Sequence, residues 1–462
     1  MIQSDPEPSP QATIASVEAR EVLDSRGRPT VEVEIVTSGG GRGRAIAPSG
    51  ASTGSAEALE LRDRGDARYD GDGVQTAVEN VRQRIGPVLL GVAANEQGVV
   101  DALLCQLDES PQKSELGGNA LVATSLAAAH AGAASLGVEL YQHLHQQFCR
   151  HEQREQLEGP SQPMVPLPMV NMISGGLHAG GNLDFQDVLV MPVGAEDYAS
   201  SLEWAVRIYR RLGELLGEAG FEGRLVGDEG GYGPRLPGNR AAVEMVLAAI
   251  EKAGLAPGKD VMIALDVAAT HFHEEGTYRL RSEGDKLLSS DEMVDRLESW
   301  VDDYPIASIE DGLAEEDWEG WQQLTDRLGQ RVQLVGDDLF ATNPRRLQRG
   351  VVSAAANSVL IKVNQIGTLT ETMETVSMAR LAGFGTVVSA RSGETEDTSI
   401  ADLAVAVAAD QIKIGSIVRS ERLAKYNRLL RISEQIPGWS PGLTRAKNRQ
   451  IKKEDNQNDV LL

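Results

Sequence analysis

The chain contains little cysteine and far fewer basic than acidic side chains. Only two of its 462 residues are cysteine, so no disulfide framework is expected, and a reducing cytoplasm is the default compartment. Lysine and arginine together number 44 against 68 aspartates and glutamates, which gives a net charge of −24. This charge repels nucleic-acid phosphates and argues against a general nucleic-acid-binding protein, although a local cluster of cations can still hold a small anion.

Long apolar runs are also missing. No stretch reaches the roughly 18 apolar residues that a transmembrane helix needs, so no membrane span is expected. The first residues, MIQSDPEPSPQA, contain three prolines and no apolar segment, which predicts a disordered tail over residues 1–13 rather than a signal peptide. A second polar tail is predicted over residues 435–462.

The N-terminal third has the pattern of strands followed by helices. Residues 29–36 alternate apolar and charged side chains, as a half-buried strand does, and a glycine-rich turn and another short strand follow. Residues 74–90 and 119–147 have helical periodicity. We therefore predict an α+β domain over residues 14–145. Residues 146–163 are polar and end in prolines, which favours a linker or an insertion.

From about residue 240, apolar strands alternate with amphipathic helices. Six strand–helix units follow one another, which favours parallel strands closed into a barrel over an open sheet. Thr368 stands three residues before Glu371, the spacing of a helix-capping box, and the helical segment SSDEMVDRLESWVDDY at 289–304 opens with Ser and Asp capping residues. We assign residues 164–434 to this barrel.

Charged and polar side chains end successive strands of the barrel. They are Asp266, Glu310, Asp337, Lys362, Arg391 with Ser392, and Lys413. A barrel brings the carboxyl ends of its strands together at one mouth. Three converging carboxylates repel one another unless they share a cation, and Mg²⁺ suits such oxygen ligands. The lysines and the arginine suit a phosphate or carboxylate on the substrate, so the set favours proton abstraction next to a carboxylate.

The motifs carry a resemblance to a known family. They include DSRGRPTVEVE at 24–34, PSGASTG at 48–54, GDEGG at 227–231, SIED at 308–311, GDDLFATNP at 336–344, KVNQIGTLTET at 362–372 and RSGETEDTSIADLAV at 391–405. Over most of residues 14–434 the sequence resembles the enolases. The resemblance implies an α/β fold class: a modified (β/α)₈ barrel that begins ββαα, with a smaller N-terminal α+β capping domain.

The resemblance also implies an activity, the reversible dehydration of 2-phosphoglycerate to phosphoenolpyruvate by a glycolytic lyase with two Mg²⁺ per active site. The implied ligands of the first Mg²⁺ are Asp266, Glu310 and Asp337, and Ser52 is the implied ligand of the second. Lys362 matches the base and Glu229 the general acid. The implied substrate contacts are His178, Gln186, Asp187, Glu310, Asp337, Lys413, and for the phosphate Arg391 and Ser392.

Several positions depart from the enolase pattern. Ala390 and Ala56 stand where the family has histidines, and Asp187 stands where it has a glutamate. Ser174 and Gly312 replace an asparagine and a proline. The first three changes lie toward the leaving-group side. They leave open an enolase paralogue of secondary metabolism, such as a carboxyphosphonoenolpyruvate synthase of phosphonate biosynthesis, or a non-catalytic binding protein on the enolase fold.

The resemblance implies a homo-oligomer as well. Arg20, Glu32, Glu421 and Arg431 match positions that pair across the enolase dimer interface. A homodimer or a higher homo-oligomer in the cytoplasm is therefore expected.

Overall fold

The computed structural model describes residues 10–51, 54–155, 157, 160 and 162–436. The N-terminal part begins with an antiparallel meander of three strands: β1 Ile14–Leu23, β2 Pro29–Thr37 and β3 Arg42–Ile46. Its helices are α1 Gln75–Asn80, α2 Gly86–Leu89, α3 Gln97–Leu107, α4 Gly118–Leu136 and α5 Leu140–Arg154. A π-helical turn, Val81–Ile85, joins α1 to α2.

Helix α4 forms the centre of this domain. Its sequence is apolar on every side, and nearly all of it is buried against β2 and β3. The close approach depends on Gly43 in β3, because a Cβ there would lie 2.1 Å from the carbonyl oxygen of Ala127 and 2.2 Å from the amide nitrogen of Ala131. Glycine is thus required for packing at this position.

We expect Gly43→Ala to destabilise the protein, since the backbone of α4 must move to admit the methyl group. A loss of about 1–3 kcal/mol is typical of such overpacking. Gly217→Ala is the control, because a Cβ at this position in a long helix meets no atom within 4 Å. Helix propensity predicts a gain of about 0.5–1 kcal/mol there. Urea unfolding of both variants would measure the difference, and equal midpoints would refute the packing argument.

The second domain is the closed barrel that the sequence predicts. Its strands are β4 Leu167–Ser174, β5 Asp187–Met191, β6 Met262–Asp266, β10 Ile306–Glu310, β11 Gln333–Gly336, β12 Ser358–Ile361, β13 Gly385–Ser389 and β14 Gln411–Gly415. Three short strands form a separate sheet between β6 and β10: β7 His273–Glu274, β8 Thr277–Leu280 and β9 Lys286–Leu288. Strand β5 runs antiparallel to both of its neighbours, and the other barrel strands pair in parallel.

Helices surround the barrel. They are α6 Tyr198–Glu218, α7 Asn239–Lys252, α8 Ser290–Asp303, α9 Trp318–Leu328, α10 Pro344–Ser353, α11 Val363–Ile366, α12 Leu369–Leu381, α13 Ser399–Ala406 and α14 Ser420–Ser433. Two helices, α6 and α7, follow β4 and β5, so the ββαα start is confirmed. Ser289 caps α8, as the sequence predicts, and also forms a capping box with Glu292. At α12, the Thr368 hydroxyl accepts the Glu371 amide, but the Glu371 carboxylate binds that hydroxyl instead of the Thr368 amide.

The barrel interior is filled by apolar side chains. A separate buried cluster contains Leu167, Met169, Leu189, Met191, Ala264, Ala307, Val335, Leu360 and Val387. Each barrel strand except β14 contributes to this cluster, while the alternate residues of the strands pack outward against the helices. The barrel is therefore a solid core, and only its ends offer room for polar chemistry.

Two segments differ from the sequence expectation. The segment 146–163 begins as helix, because α5 continues to Arg154 with Phe148 and Glu152 buried on one face. Within the segment 1–13 that the sequence predicts to be disordered, Pro10–Ala12 form a 3₁₀ turn and Ala12 is fully buried. Residues 1–9 and 437–462 lie outside the described residues. In the described chain no single helix is long and apolar enough to cross a membrane, and α4 with α5 passes that test only as a pair bent by 105°.

Candidate active site

Two buried lysines bind the three carboxylates at the strand ends. Lys413 donates from Nζ to Asp266 Oδ2 at 2.6 Å and to both oxygens of Glu310 at 2.8 Å. Lys362 Nζ lies 2.5 Å from Asp337 Oδ2. The last residues of β6 and β10, the residues that follow β11 and β12, and the middle of β14 thus converge at one mouth.

The electrostatics of this group follow from burial and from the pairing of charges. Burial and the neighbouring Asp266 raise the pKa of Glu310 to about 8. Although burial opposes its ionisation, Lys362 holds the pKa of Asp337 below its ordinary value. Burial also opposes the charge on Lys362, yet Asp337 raises the pKa of this lysine. Ionisation of Asp337 thus depends on the positive charge of Lys362, whereas burial and the neighbouring carboxylate favour the neutral form of Glu310.

Two further carboxylates, Asp311 and Asp338, lie next to Asp337 and extend the acidic group. These three carboxylates can place ligand oxygens within 4.8 Å of one another. Asp311 accepts hydrogen bonds from the amides of Asp337 at 2.9 Å and Asp338 at 2.8 Å, so it fixes the turn after β11. Asp311 and Asp338 also stand at strand ends in the sequence, but the sequence gives neither residue a role. Their only signal is their position beside Glu310 and Asp337.

A second cluster consists of His178, Asp187 and Glu229, whose ligand atoms also lie within 4.8 Å of one another. His178 Nδ1 lies 3.0 Å from Asp187 Oδ2. Burial of the imidazole lowers the pKa of His178, but the charge of the Asp187 carboxylate outweighs burial and raises this pKa to about 9. Burial raises the pKa of Asp187 to about 6. Asn171 binds the other oxygen of Asp187. The cluster can hold or transfer protons.

Strand direction explains how Asp187 reaches the mouth. Because β5 is antiparallel, its first residue lies at the edge where the parallel strands end, and Asp187 pairs in register with Asp266. Gln186 immediately precedes it and donates from Nε2 to Asp266 Oδ2 at 3.0 Å. The two acidic clusters are therefore neighbours.

Arg391 and Ser392 lie at the contact between the capping domain and the barrel. Arg391 donates to Glu57 Oε2 at 2.8 Å and to Asn364 Oδ1 at 3.1 Å, and it is 3% exposed. Ser392 Oγ accepts the amide of Ala51 at 2.6 Å. The carboxylate of Glu57 thus anchors the arginine, and the backbone at Ala51 is bonded to the barrel.

The departures from the enolase pattern have defined positions. Ala390 follows β13 directly, is 5% exposed, and donates its amide to the Lys413 carbonyl at 2.8 Å. Ala56 is half-buried, beside the anchoring Glu57. Ser52, the implied second metal ligand, lies outside the described residues. The first-strand charges Arg20 and Glu32 form an ion pair within this chain, across β1 and β2.

The donor set fits a hard divalent cation. Asp266, Glu310 and Asp337 already bind ammonium groups, so their oxygens are directed at positive charge. Gln186 Oε1 is buried beside Asp266 and has no hydrogen-bond partner in the part of the chain that the structure describes. An oxygen without a donor among buried carboxylates is what a cation would satisfy.

A capping domain over a closed barrel, with acidic clusters and buried lysines at the shared mouth, defines a class of α/β-barrel enzyme compatible with divalent metal binding. Comparison with known families makes this more specific. Residues 14–144 match the enolase N-terminal domain, and residues 162–444 match the enolase C-terminal TIM barrel domain. The chain belongs to the enolase family.

Proposed function

We propose that the protein is a Mg²⁺-dependent lyase that interconverts 2-phosphoglycerate and phosphoenolpyruvate. The observation that carries the proposal is the convergence of Lys362 and Lys413 on three carboxylates from separate barrel strands. Membership of the enolase family supports it. Homo-oligomerisation, at least to a dimer, and a cytoplasmic location are part of the same proposal.

One side of the site removes the α-proton and binds the substrate carboxylate, and the other side promotes departure of the hydroxyl. Lys362 removes the proton next to the substrate carboxylate as the neutral amine, a form that bound dications would favour by offsetting the charge of Asp337, which raises the pKa of this lysine. Lys413 binds the substrate carboxylate. Glu229 donates a proton to the departing hydroxyl, with His178 and Asp187 placed beside it. Arg391, held by Glu57, and Ser392 bind the phosphate. Two Mg²⁺ ions, held by Asp266, Glu310 and Asp337 and by Ser52, would supply positive charge that acidifies the α-carbon.

Turnover tests the proposal directly. Purified protein saturated with Mg²⁺ should convert 2-phosphoglycerate to phosphoenolpyruvate, and the absorbance of the enol reports the product. Absence of both this conversion and α-proton exchange in D₂O would refute the function. Exchange without dehydration would instead separate the two halves of the reaction.

One set of residues favours a second candidate function. The altered positions Ala390 and Asp187 belong to the leaving-group side, whereas the lysines and the metal-type carboxylates are all present. An enolase paralogue that keeps α-proton abstraction but acts on a different substrate would show this combination; a carboxyphosphonoenolpyruvate synthase of phosphonate biosynthesis is an example of such a paralogue. Substrate comparison separates the two: turnover of 2-phosphoglycerate unaffected by these changes counts against the paralogue.

We expect Mg²⁺ alone to raise the melting temperature of the protein, because an ion that binds only the folded state stabilises it by about 2.7 kcal/mol at 100 times its dissociation constant. Removing the ion with EDTA should reverse the shift. Thermal unfolding with and without Mg²⁺ is the measurement.

Glu310→Gln should abolish most of this Mg²⁺-dependent shift, since it removes a buried carboxylate. Glu316→Gln is the matched control: this side chain is 61% exposed and pairs with Arg346. An equal Mg²⁺ shift in both variants would contradict the assignment of Glu310 as a ligand.

A further inference from the structure

An arginine-lined cleft of about 480 Å³ opens between the capping domain and the barrel. Three arginines, Arg26, Arg28 and Arg419, line it with a single carboxylate, Asp228, and otherwise with small or apolar groups. We call this the arginine cleft. The lining of this cavity thus carries more positive than negative side chains, in a chain whose net charge is −24.

Arg26 is the inner arginine of the cleft. Its terminal nitrogens donate to the Ser49 carbonyl at 3.1 Å, to the Gly50 carbonyl at 3.4 Å and to Ser392 Oγ at 3.3 Å, and Asp24 Oδ2 lies 3.5 Å away. Its Nε is buried and has no hydrogen-bond partner among the described residues. Burial lowers the pKa of Arg26, and the neighbouring Arg28 acts in the same direction, so the surrounding carboxylates compensate the charge of Arg26 only in part.

The two outer arginines are weakly engaged. The nearest carboxylate oxygen to the Arg28 guanidinium is 3.8 Å away, on Asp72, and half of the Arg28 side chain is exposed. Arg419 donates to the Gly227 carbonyl at 3.3 Å and is exposed to solvent. A guanidinium group has five donors, so most of their hydrogen-bonding capacity faces solvent.

The arginine cleft is continuous with the proposed active site. Arg26 and Ala51 both donate to Ser392 Oγ, which belongs to the proposed phosphate contacts. Two other lining residues, Leu177 and Asp228, directly precede His178 and Glu229 in the chain. A group in the cleft would thus lie beside both the phosphate contacts and the acidic cluster on the leaving-group side.

We propose that the arginine cleft binds a second anionic group, a phosphate or a carboxylate, beyond the one held by Arg391 and Ser392. The preferred substrates are then acids larger and more highly charged than 2-phosphoglycerate, or 2-phosphoglycerate together with a separate anionic co-substrate. Guanidinium groups are the side chains best suited to bidentate recognition of such groups. The inference rests on the proposed function only for the identity of the reacting portion of the substrate.

Calorimetric titration of the Mg²⁺-saturated protein tests this. The first probe is 2,3-bisphosphoglycerate, which is 2-phosphoglycerate with a second phosphate on the leaving-group oxygen, and 2-phosphoglycerate is the reference. We expect 2,3-bisphosphoglycerate to bind about tenfold more tightly, the effect of one good charge-assisted hydrogen bond. A second arm titrates inorganic phosphate into protein already saturated with 2-phosphoglycerate.

The double variant Arg28→Gln/Arg419→Gln should remove the preference for the second anion and leave 2-phosphoglycerate affinity unchanged. Arg42→Gln/Arg211→Gln is the charge-matched control, since both side chains are exposed and lie outside the arginine cleft. If binding of 2,3-bisphosphoglycerate depends on the cleft arginines, the second anionic group belongs to the same molecule as the reacting portion. If binding of inorganic phosphate depends on them, the second anionic group belongs to a separate co-substrate.

Insensitivity of both probes to the cleft variant, or equal losses in the control, overturns the proposal. These readouts need no turnover, so they remain decisive if the lyase reaction itself is absent. Absence of both 2-phosphoglycerate turnover and α-proton exchange, with cleft-dependent binding intact, would refute the proposed function alone.

Discussion

Lys362→Ala should abolish exchange of the substrate α-proton. A positioned acid or base contributes about 10²–10⁴-fold to a rate, so a fall of at least this size is expected. The structure places the Lys362 ammonium on Asp337, within the group of carboxylates that also includes Asp266 and Glu310, where the proton to be removed would lie. The measurement is the loss of the α-proton NMR signal of 2-phosphoglycerate in D₂O with Mg²⁺-saturated protein.

Stability must be separated from chemistry in this experiment, because removing one partner of a buried ion pair costs about 3–5 kcal/mol. Lys113→Ala is the matched control. Lys113 is also buried and binds Glu371 at 3.0 Å, but it lies outside the candidate site. Exchange should persist in the control. If the Lys362 variant exchanged the proton as fast as the parent protein, another base would be required, and the assignment of Lys362 would fail.

The sequence predicts the barrel mouth well because one physical rule governs it. Parallel strands deliver their last residues to one edge, so the order of strands along the chain is enough to group Asp266, Glu310 and Asp337. The same rule brings Lys362 and Lys413 to this mouth, but the sequence does not predict that they pair with the carboxylates. The structure adds that Lys413 bridges Asp266 and Glu310, whereas Asp337 pairs with Lys362 and is grouped with Asp311 and Asp338.

Other parts of the site obey no local pattern. Asp187 begins an antiparallel strand, so a rule about strand ends overlooks it, and only the family resemblance points to it. The anchor of Arg391 is Glu57, 334 residues away in the other domain, and no periodicity can reveal such a contact. The arginine cleft likewise combines β1–β2 turn residues with the segment before α14. Contacts between domains are therefore beyond prediction from sequence spacing.

The fold, like the site, is predicted from the sequence only in part. Strand alternation and helix periodicity predict the elements, but they do not predict how far α5 extends. Its continuation to Arg154 depends on tertiary contacts, since Glu152 accepts a hydrogen bond from Ser377 at 2.9 Å. The small sheet β7–β9 also escapes the pattern of strand–helix units. Its one signal is the long interval between Asp266 and Glu310, which exceeds one such unit.

Ala390→His should increase dehydration of 2-phosphoglycerate by about 10²–10⁴-fold if the missing histidine limits departure of the hydroxyl. An alanine side chain can neither transfer a proton nor donate a hydrogen bond. Ala390 adjoins Arg391, and its amide is bonded to the Lys413 carbonyl, so an imidazole added here would lie within the site. The rate of phosphoenolpyruvate formation is the measurement, with α-proton exchange recorded in parallel.

Measuring α-proton exchange beside phosphoenolpyruvate formation separates proton abstraction from departure of the hydroxyl. Exchange reports Lys362 and should change little, so a gain confined to dehydration locates the defect on the leaving-group side. Ala390→Gln is the control, because glutamine has similar bulk and can donate a hydrogen bond but cannot act as an acid or base near neutral pH. An equal gain with glutamine would assign the effect to substrate positioning. No gain with histidine would mean that the site is adapted to another leaving group, which favours the paralogue and the more highly charged substrates that the arginine cleft suits.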